Sequence, residues 1–526
     1  MNRLALGMLL LALVSPPAPT LAVGLPTGSL DPGFGDQGFV RLYFDDRLGA
    51  TTDDRAKSIQ VLRGDLGGGA FGPKWILVAG PAGRYVAITR LTMNGQIDPT
   101  FGANGVAFSA RTNVASFGGM VVMPNGDIVI GYADDYTGPD SDSRDFFIEV
   151  FAANGQPKNI GGDESPNQRS VDLSSSAPVL NGRCSDYYRE NRAQRLILTA
   201  EAGIVLVGDI AVYSVDGNFV RRDIATAEFN GGTYLPARPT LACTGAGGRL
   251  DAMRYPPAHD NFNGDGVIHA AVSDVGAHVL YAGSVDPVSD ADAGQLGMMN
   301  YRDLSVGYTY DDAYNLGMPE GYWRQRQSDF WQIRTDNQPG SFVLFGDAEN
   351  GTLAGAVRRQ PIIATVRANA LQPLWFYPVG GAADAMVAGL EGWRLPGARD
   401  LMLLGAARPC SATGCSGEWD SFAIGVSNGA TVLNAYQPQP AFGNQGWVRH
   451  RVRDYDGSPA ANAIAWTGAL QGNLFGSGDT DLYVAGEFRT SADNHLDMFV
   501  AKIRVANAGD PPWVIPADVI FRDGFQ

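Results

Sequence analysis

Ile76-Leu77-Val78-Ala79-Gly80 is a short apolar run that ends in glycine, and the chain contains further runs of the same kind. In chain order they are Ile128–Gly131, Ile204–Gly208, Val279–Gly283, Phe342–Gly346, Leu401–Gly405 and Leu482–Gly486. The glycines recur at intervals of 51 to 81 residues, which marks a degenerate internal repeat. Because each repeat unit covers the apolar faces of its neighbours, the 526 residues predict one array rather than several unrelated domains.

Each run lies between two other apolar segments, and turn-forming residues separate the three. Before the second run come Gly119-Met120-Val121-Val122 and the turn Pro124-Asn125-Gly126-Asp127, and Asp145-Phe146-Phe147-Ile148 follows it. β-Branched and aromatic residues fill the segments, while Gly, Asn, Asp and Pro fill the gaps, as is typical of strands and turns. Strand, turn, strand, loop, strand, repeated seven times, predicts an all-β fold, a seven-bladed β-propeller.

A second motif predicts a fourth, outer strand. It reads Leu30-Asp31-Pro32-Gly33-Phe34-Gly35-Asp36-Gln37-Gly38-Phe39-Val40. It returns in Ile97–Val106 and, shortened, in Phe442–Val448. Asp-Pro begins a turn, and the glycines permit the positive φ at which the chain reverses. We expect the phenylalanine ring of the motif to be buried beneath its turn.

These residues resemble the delta-60 repeat of bacterial exported and surface proteins. The unit from Ile76 to Phe108 matches that repeat best, with apolar run, glycine, third strand and Asn-Gly-x-Ile-Asp-Pro-x-Phe-Gly-x-x-Gly in order. The other units keep the strand rhythm but have mostly lost the Asp-Pro-x-Phe-Gly signature. The resemblance implies a propeller-like repeat protein and brings no general catalytic site with it.

The order of the motifs predicts how the ring closes. The first motif precedes every apolar run, so its strand, Phe39 to Phe44, has no inner strands of its own. The last unit, Asn462 to Val505, has inner strands but no outer motif after it. We therefore expect the N-terminal strand to complete the last blade.

The ends of the chain divide it into three parts. Residues 1–22 carry Arg3, the apolar stretch Leu4–Val14 and small residues up to Ala22, which predict a secretory signal peptide. Residues 23–509 are the predicted propeller of delta-60-like repeats. Residues 510–526 are a tail with an Ile-Phe-x-Asp-Gly-Phe motif, interpreted either as a sorting signal or as a strand on the rim. The predicted location is outside the cytoplasm, in the periplasm, at the cell surface or in the medium.

Export sets the expected state of the cysteines, Cys184, Cys243, Cys410 and Cys415. An even number in an oxidising compartment predicts two disulfides. Cys410 and Cys415 flank a short Ser-Ala-Thr-Gly loop, which leaves Cys184 and Cys243 to pair. The alternative is a metal site or a redox dithiol, which the absence of a C-x-x-C motif disfavours.

The net charge of −16 and the pI near 4.7 restrict the partners. An acidic surface repels phosphate backbones, so we expect no nucleic acid. No segment after the signal peptide is apolar enough to span a membrane. We expect a monomer that binds a protein or a carbohydrate.

One loop resembles a calcium site. Asn261, Asn263 and Asp265 alternate before Gly266, as oxygen ligands do in calcium loops, and Asp260 could add another oxygen. The bidentate glutamate of such loops is missing, because Val272 stands at its position. Calcium is therefore one interpretation of the loop, and a tight Asn/Gly turn that leads into a strand is the other.

No motif identifies catalytic residues. Three of the five histidines, His259, His269 and His278, fall within twenty residues, but no ligand pair at fixed spacing accompanies them. Carboxylate pairs such as Asp53-Asp54 and Asp134-Asp135 are so common that we expect most of them to be solvated. The sequence therefore predicts a non-enzymatic binding or structural module. The alternatives are a propeller hydrolase or lyase with acidic residues at the channel mouth, and an envelope-anchored adhesin.

Overall fold

In the computed structural model, the described residues lie between 27 and 506. They are residues 27–49, 52–67, 70–134, 146–162, 165–171, 187–199, 201–213, 219–240, 267–273, 278–285, 293–300, 306–310, 328–335, 341–353, 356–367, 370–371, 375–376, 385–394, 401–411, 414–415, 418–428, 436–438, 442, 447–471, 479–492 and 494–506.

These residues form strands almost throughout, so the all-β prediction is confirmed. A first strand, β1 (Phe39–Leu42), is followed by a single helical turn, α1 (Asp45–Leu48). Within the described ranges this is the only helix, and none there is long and apolar enough to cross a membrane. The described strands form seven antiparallel sheets, which we number in chain order.

Sheets 1 to 3 each contain four strands. Sheet 1 has β2 (Ser58–Gly67), β3 (Ala70–Ala82), β4 (Tyr85–Thr92) and β5 (Val106–Phe108). Sheet 2 has β6 (Val114–Val122), β7 (Ile128–Asp134), β8 (Phe146–Phe151) and β9 (Gln168–Val171). Sheet 3 has β10 (Tyr187–Leu198), β11 (Ile204–Tyr213), β12 (Phe219–Phe229) and β13 (Pro236–Thr240).

Sheets 4 to 6 follow the same order, and sheets 5 and 6 have short additional strands. Sheet 4 has β14 (Val267–Ser273), β15 (His278–Val285), β16 (Ala293–Asn300) and β17 (Val306–Tyr310). Sheet 5 has β18 (Ser328–Thr335), β19 (Ser341–Leu353), β20 (Ala356–Arg367), β21 (Ala370–Leu371) and β22 (Trp375–Phe376). Sheet 6 has β23 (Ala385–Arg394), β24 (Leu401–Ser411), β25 (Gly414–Cys415), β26 (Asp420–Asn428), β27 (Tyr436–Pro438) and β28 (Trp447–His450).

Sheet 7 joins the two ends of the described chain. It has β29 (Ala461–Gln471), β30 (Thr480–Arg489) and β31 (Leu496–Ala506), and β1 is its outer strand. Phe39 lies opposite Ala501 and Leu42 opposite Met498. The predicted pairing of the N-terminal strand with the last unit is thus confirmed. The first strands of successive sheets contact one another, β2 with β6, β6 with β10, β10 with β14, β14 with β18, β18 with β23, β23 with β29 and β29 with β2.

Every glycine-ended run lies in the second strand of its sheet, and in sheets 2 to 7 the glycine faces a distortion of the first strand. Opposite Gly486, β29 is bulged between Ala465 and Thr467. A Cβ atom built on Gly486 would lie only 1.9 Å from the carbonyl oxygen of Ile464. The same 1.9 Å clearance is found between Gly80 and the Arg55 carbonyl and between Gly208 and the Arg192 carbonyl. The repeated glycine is therefore explained by the bulge, whose carbonyl occupies the space of a side chain.

The Asp-Pro-x-Phe-Gly motif attaches each outer turn to the next sheet. Phe101 is fully buried, as expected, and Gly102 and Gly105 adopt φ of +54° and +94°. Asp98 is bonded to Arg90 of β4, with 2.7 Å between the carboxylate and the guanidinium. The amide of Gly102 donates to the Asn154 carbonyl of sheet 2. The N-terminal copy repeats this arrangement with buried Phe34, the ion pair of Asp31 with Lys502 and the bond from Gly35 N to Asn94 O.

Candidate functional site

The candidate site lies where sheet 7 meets sheet 1. Residues 52–57 lead into β2 and run beside the turn between β30 and β31. The Asp54 amide donates to the Leu496 carbonyl at 2.6 Å, and the Leu496 amide donates to Oδ1 of Asp53 at 3.1 Å. These bonds bring together residues that lie more than four hundred positions apart in the sequence.

Lys57 is the central residue of the site. Its Nζ lies 2.9 Å from the centroid of the Trp466 ring, on the first strand of sheet 7. Burial lowers the pKa of Lys57 from 10.5 to about 7; the Glu487 carboxylate opposes this effect and the Arg55 guanidinium reinforces it. Near neutral pH this lysine is therefore divided between its charged and neutral forms. In the neutral form it can accept a proton.

Glu487 provides an acceptor next to this lysine. It follows Gly486 on β30, is 5% exposed, and its Oε2 lies 3.5 Å from Nε of Arg55. Oε2 takes part in no hydrogen bond with the described residues, and the same holds for Nε1 of Trp466. Buried polar atoms are normally hydrogen-bonded, so two such atoms near a lysine of lowered pKa mark this junction as the candidate functional site.

The same junction buries a carboxylate that the protein itself satisfies. Asp54 is fully buried and accepts hydrogen bonds from the Phe44 amide at 3.0 Å and from Oγ1 of Thr52 at 2.8 Å. Burial raises the pKa of Asp54 to about 7, and the charges of Asp497 and Asp45 add to this rise. Because its oxygens bind groups of its own loop, Asp54 holds the loop in place and is not available to a ligand.

Tyr455 lies at the exposed edge of the junction. Its hydroxyl donates to Oδ2 of Asp497 at 2.7 Å, and the ring of Tyr43 meets its ring edge-on at 5.8 Å. Burial and the neighbouring Asp497 raise the pKa of Tyr455, so its hydroxyl stays protonated and acts as a donor. About half of each ring remains accessible, with 48% exposure for both residues.

Sheet 5 has the same residue types at the matching positions. Trp331 is the bulged residue of β18, as Trp466 is of β29, and Asp347 follows Gly346 as Glu487 follows Gly486. In sheet 5, however, Nε1 of Trp331 donates directly to Oδ2 of Asp347. The tryptophan and the acid therefore satisfy each other there.

Several of the residues predicted as sites lie outside the described residues. These include the calcium-loop residues Asp260, Asn261, Asn263 and Asp265, and also Cys184 and Cys243, the signal peptide and the C-terminal tail. Calcium binding there stays a prediction. In the described part of the chain, no group of three His, Cys, Asp or Glu residues is arranged to hold a metal ion.

The other predicted residues are dispersed in the fold. Cys410 of β24 lies directly opposite Cys415 of β25, a backbone register that suits the predicted disulfide, which itself stays a prediction. His269 lies within β14, at the bulge opposite the glycine, as its strand pattern predicts. Asp54 and Asp134 are buried rather than solvated, with 0% and 2% exposure. The expectation of solvated pairs is wrong at these two positions, because each carboxylate has protein partners.

No sequence pattern predicted a functional site at Lys57, Trp466 and Glu487. None of them belongs to a known motif, and Lys57 meets the other two only because the chain ends share a junction. One signal was present, since an acid directly follows the run glycine in Gly208-Asp209, Gly346-Asp347 and Gly486-Glu487. In all three places the acid directly follows an apolar run. Because a charge next to an apolar run is costly to bury, its repetition indicates a role for the acid.

Comparisons with known proteins give similar folds but no close relative. No family model matches the chain, and no curated protein matches its sequence. A solved polysaccharide lyase, Uly1, is 11% identical, with a TM-score of 0.41 over 86% of this chain and 90% of the lyase. A Trypanosoma rangeli sialidase in complex with sialic acid is 10% identical, with a TM-score of 0.33 over 91% of this chain and 60% of the sialidase.

A third solved structure is the catalytic domain of a Coprinopsis cinerea GH62 α-L-arabinofuranosidase. It is 11% identical, with a TM-score of 0.27 over 64% of this chain and 91% of that domain. By their names, all three proteins are enzymes that act on carbohydrates. The prediction of a non-enzymatic binding or structural module is contradicted by these findings, which agree better with the alternative of a hydrolase or lyase.

Proposed function

We propose that this protein is an exported seven-bladed β-propeller enzyme that cleaves carbohydrates as a hydrolase or a lyase. The seven described sheets, the contacts between successive first strands and the place of β1 in sheet 7 support a closed propeller. Export and membership of the delta-60 repeat proteins belong to the same proposal, and the sequence motifs support both.

The observation that carries the proposed activity is Lys57. A lysine whose pKa is about 7 is suited to proton transfer at neutral pH, since both of its protonation states are populated there. Its ammonium lies against the Trp466 ring, and the Glu487 carboxylate is close enough to influence its pKa. A lysine that served only to bind an anion would gain nothing from a lowered pKa.

Lys57 and Glu487 act as the acid–base pair in this proposal. Cleavage of a glycosidic bond needs one group that accepts a proton and another that protonates the departing oxygen. Oε2 of Glu487 lies 3.5 Å from Nε of Arg55 but makes no hydrogen bond with the described residues, so it can accept one from a hydroxyl or a water. The protonated form of Lys57 can donate to the departing oxygen, and its neutral form can take a proton from carbon or oxygen. Nε1 of Trp466 is a further donor for the bound sugar.

Glycan cleavage by the full chain tests this function. The purified protein is incubated with xylan, arabinan, β-glucan, polygalacturonate and alginate, and new reducing ends are measured. Ultraviolet absorbance of an unsaturated product distinguishes a lyase from a hydrolase. We expect Lys57→Met to abolish the release of reducing ends and to leave the folded structure intact.

Lys74→Met is the matched control. Lys74 also lies near a tryptophan, 5.8 Å from the ring centroid of Trp75, but its Nζ donates to the Asp65 carbonyl at the surface. This variant should retain full activity. Absence of cleavage with every glycan, or equal activity of Lys57→Met and the wild type, would refute the proposed acid–base role.

A further inference from the structure

We infer that Tyr43 and Tyr455 form a subsite that binds one uncharged pyranose ring of the substrate, an inference that rests on the proposed carbohydrate-cleaving function. The two rings meet at an interplanar angle of 86°, and each is 48% exposed. Two large apolar faces at right angles form a corner. A corner of this kind suits a sugar, because the C–H face of a pyranose packs on an aromatic ring while its hydroxyls remain free to bond.

The corner is held rigid before any ligand binds. The Tyr455 hydroxyl donates to Asp497, and the Tyr455 amide donates to Oδ1 of Asp454 at 2.7 Å. Phe488 lies behind the Tyr455 ring, with 6.1 Å between the ring centroids. Rings that are fixed in advance lose little conformational freedom on binding, which favours affinity.

The charges around the corner favour a neutral sugar. The Arg41 guanidinium lies 5.3 Å from the centroid of the Tyr455 ring. It already donates to Asp36 and to the carbonyls of Arg453 and Asp454, so it has partners without a sugar carboxylate. The Asp36 side chain is 66% exposed, and the chain as a whole carries a net charge of −16. A uronate ring would therefore meet repulsion that a neutral ring avoids.

The corner also belongs to the same junction as Lys57. Asp497, which holds the Tyr455 hydroxyl, is one of the charges that raise the pKa of Asp54. Asp54 stands three residues before Lys57, on the segment that leads into β2. A glycan chain that extends from Lys57, beside β29, towards the outer strands β31 and β1 can therefore place another of its sugars against the two tyrosines.

Binding is tested in the Lys57→Met background, where substrate is not consumed. Isothermal titration calorimetry with xylohexaose, cellohexaose, arabinohexaose and hexagalacturonate measures the affinity. We expect at least one neutral hexasaccharide to bind more tightly than hexagalacturonate. Adding Tyr43→Ala or Tyr455→Ala should weaken that binding about tenfold, because one stacking face is lost.

Tyr455→Phe is the conservative variant, since it keeps the ring and removes only the bond to Asp497. It should change the affinity less than about threefold. Tyr43→Ala keeps the hydrogen bond to Asp497 that Tyr455→Ala removes, so the two alanine variants check each other, and a thermal melt verifies that each is folded. Unchanged affinity in Tyr43→Ala, tighter binding of hexagalacturonate, or no binding of any probe would overturn the subsite. A wild-type chain that binds these sugars but cleaves none would instead refute the proposed function and leave the subsite standing.

Discussion

Sheets 5 and 7 place the same residue types at the same positions and leave them in opposite states. In sheet 5 the indole of Trp331 donates to Asp347, which is 1% exposed. In sheet 7 the indole nitrogen of Trp466 and Oε2 of Glu487 make no hydrogen bond with a described residue, although Oε2 lies 3.5 Å from Nε of Arg55, and Lys57, just before β2, lies over the tryptophan ring. The indole and the acid are bonded to each other in sheet 5, whereas in sheet 7 they are not, and a lysine from outside the sheet lies on the tryptophan.

The difference shows how a repeat can produce both a structural element and a reactive site. The backbone is shared, since bulge and glycine recur in both sheets. The chemistry depends on which residue the adjoining part of the chain places against the tryptophan. It also depends on whether the acid side chain hydrogen-bonds to the indole, as Asp347 does, or does not, as with Glu487. A buried polar group whose hydrogen bonds are all formed contributes to stability. A buried group that lacks a hydrogen-bond partner has a pKa and a reactivity that are set by burial.

The strongest test of this comparison changes the two acids separately. Glu487→Gln should lower glycan cleavage by about a thousandfold, because it removes the carboxylate beside Lys57. Asp347→Asn, at the matching position of sheet 5, should leave the cleavage rate within about twofold when assayed well below its melting temperature. Reducing-end assays on both variants give the answer. Equal losses would mean that the two pairs are alike.

A second test disturbs the backbone that carries the open pair. Gly486→Ala should lower the free energy of unfolding by about 3 kcal/mol or more, because its Cβ would fall 1.9 Å from the Ile464 carbonyl. Urea unfolding measures the loss. Gly64→Ala on β2 is the control, where the nearest atom is the flexible Lys74 Cδ at 3.1 Å and little change is expected. A normal midpoint for Gly486→Ala would contradict the steric role of the repeated glycine.

The closed pair should matter more for stability than the open one. Asp347→Asn should reduce the free energy of unfolding by about 2 kcal/mol, because the half-buried indole of Trp331 loses a charged acceptor. Glu487→Gln should reduce it by less than about 0.5 kcal/mol, since Oε2 makes no hydrogen bond with the described residues. Urea titrations of the two variants under one set of conditions decide. A larger loss for Glu487→Gln would reverse the comparison.

The pH dependence of stability should identify Lys57 directly. Its pKa is about 7 in the folded chain and 10.5 in the unfolded chain, so the unfolded chain binds more protons between these values. Lys57 should therefore raise stability above pH 7 by about 1 kcal/mol over the first pH unit, while Asp54, whose raised pKa is also about 7, opposes this by about 0.4 kcal/mol in every variant. Lys57→Met should remove this contribution, and Asp347→Asn should retain it. Unfolding free energies at pH 7 and 8 make the comparison, and an equal rise in all three proteins would exclude Lys57 as its source.

The sequence predicts most of the fold and little of the site. Glycine-ended runs predict the second strand of every sheet, because strand, turn and glycine signals are local. The place of β1 follows from a missing outer motif after the last unit, a simple count of strands. The meeting of Lys57 with Glu487 cannot be derived in this way. The contact depends on a bulge, on packing between sheets and on burial. The residues next to Lys57 in the sequence carry no pattern that predicts any of these.

The pairing of β1 with β31 also affects the order in which the sheets can fold during synthesis. Phe39 is among the first of the described residues to leave the ribosome, and its partner Ala501 is among the last. The outer edge of sheet 7 therefore cannot form until β31 has been synthesised, and β1 has no partner while the sheets between them in the chain assemble. Lys57 and Glu487 lie where sheet 7 meets sheet 1, a junction that forms late. The proposed activity should therefore arise only in chains that have finished folding.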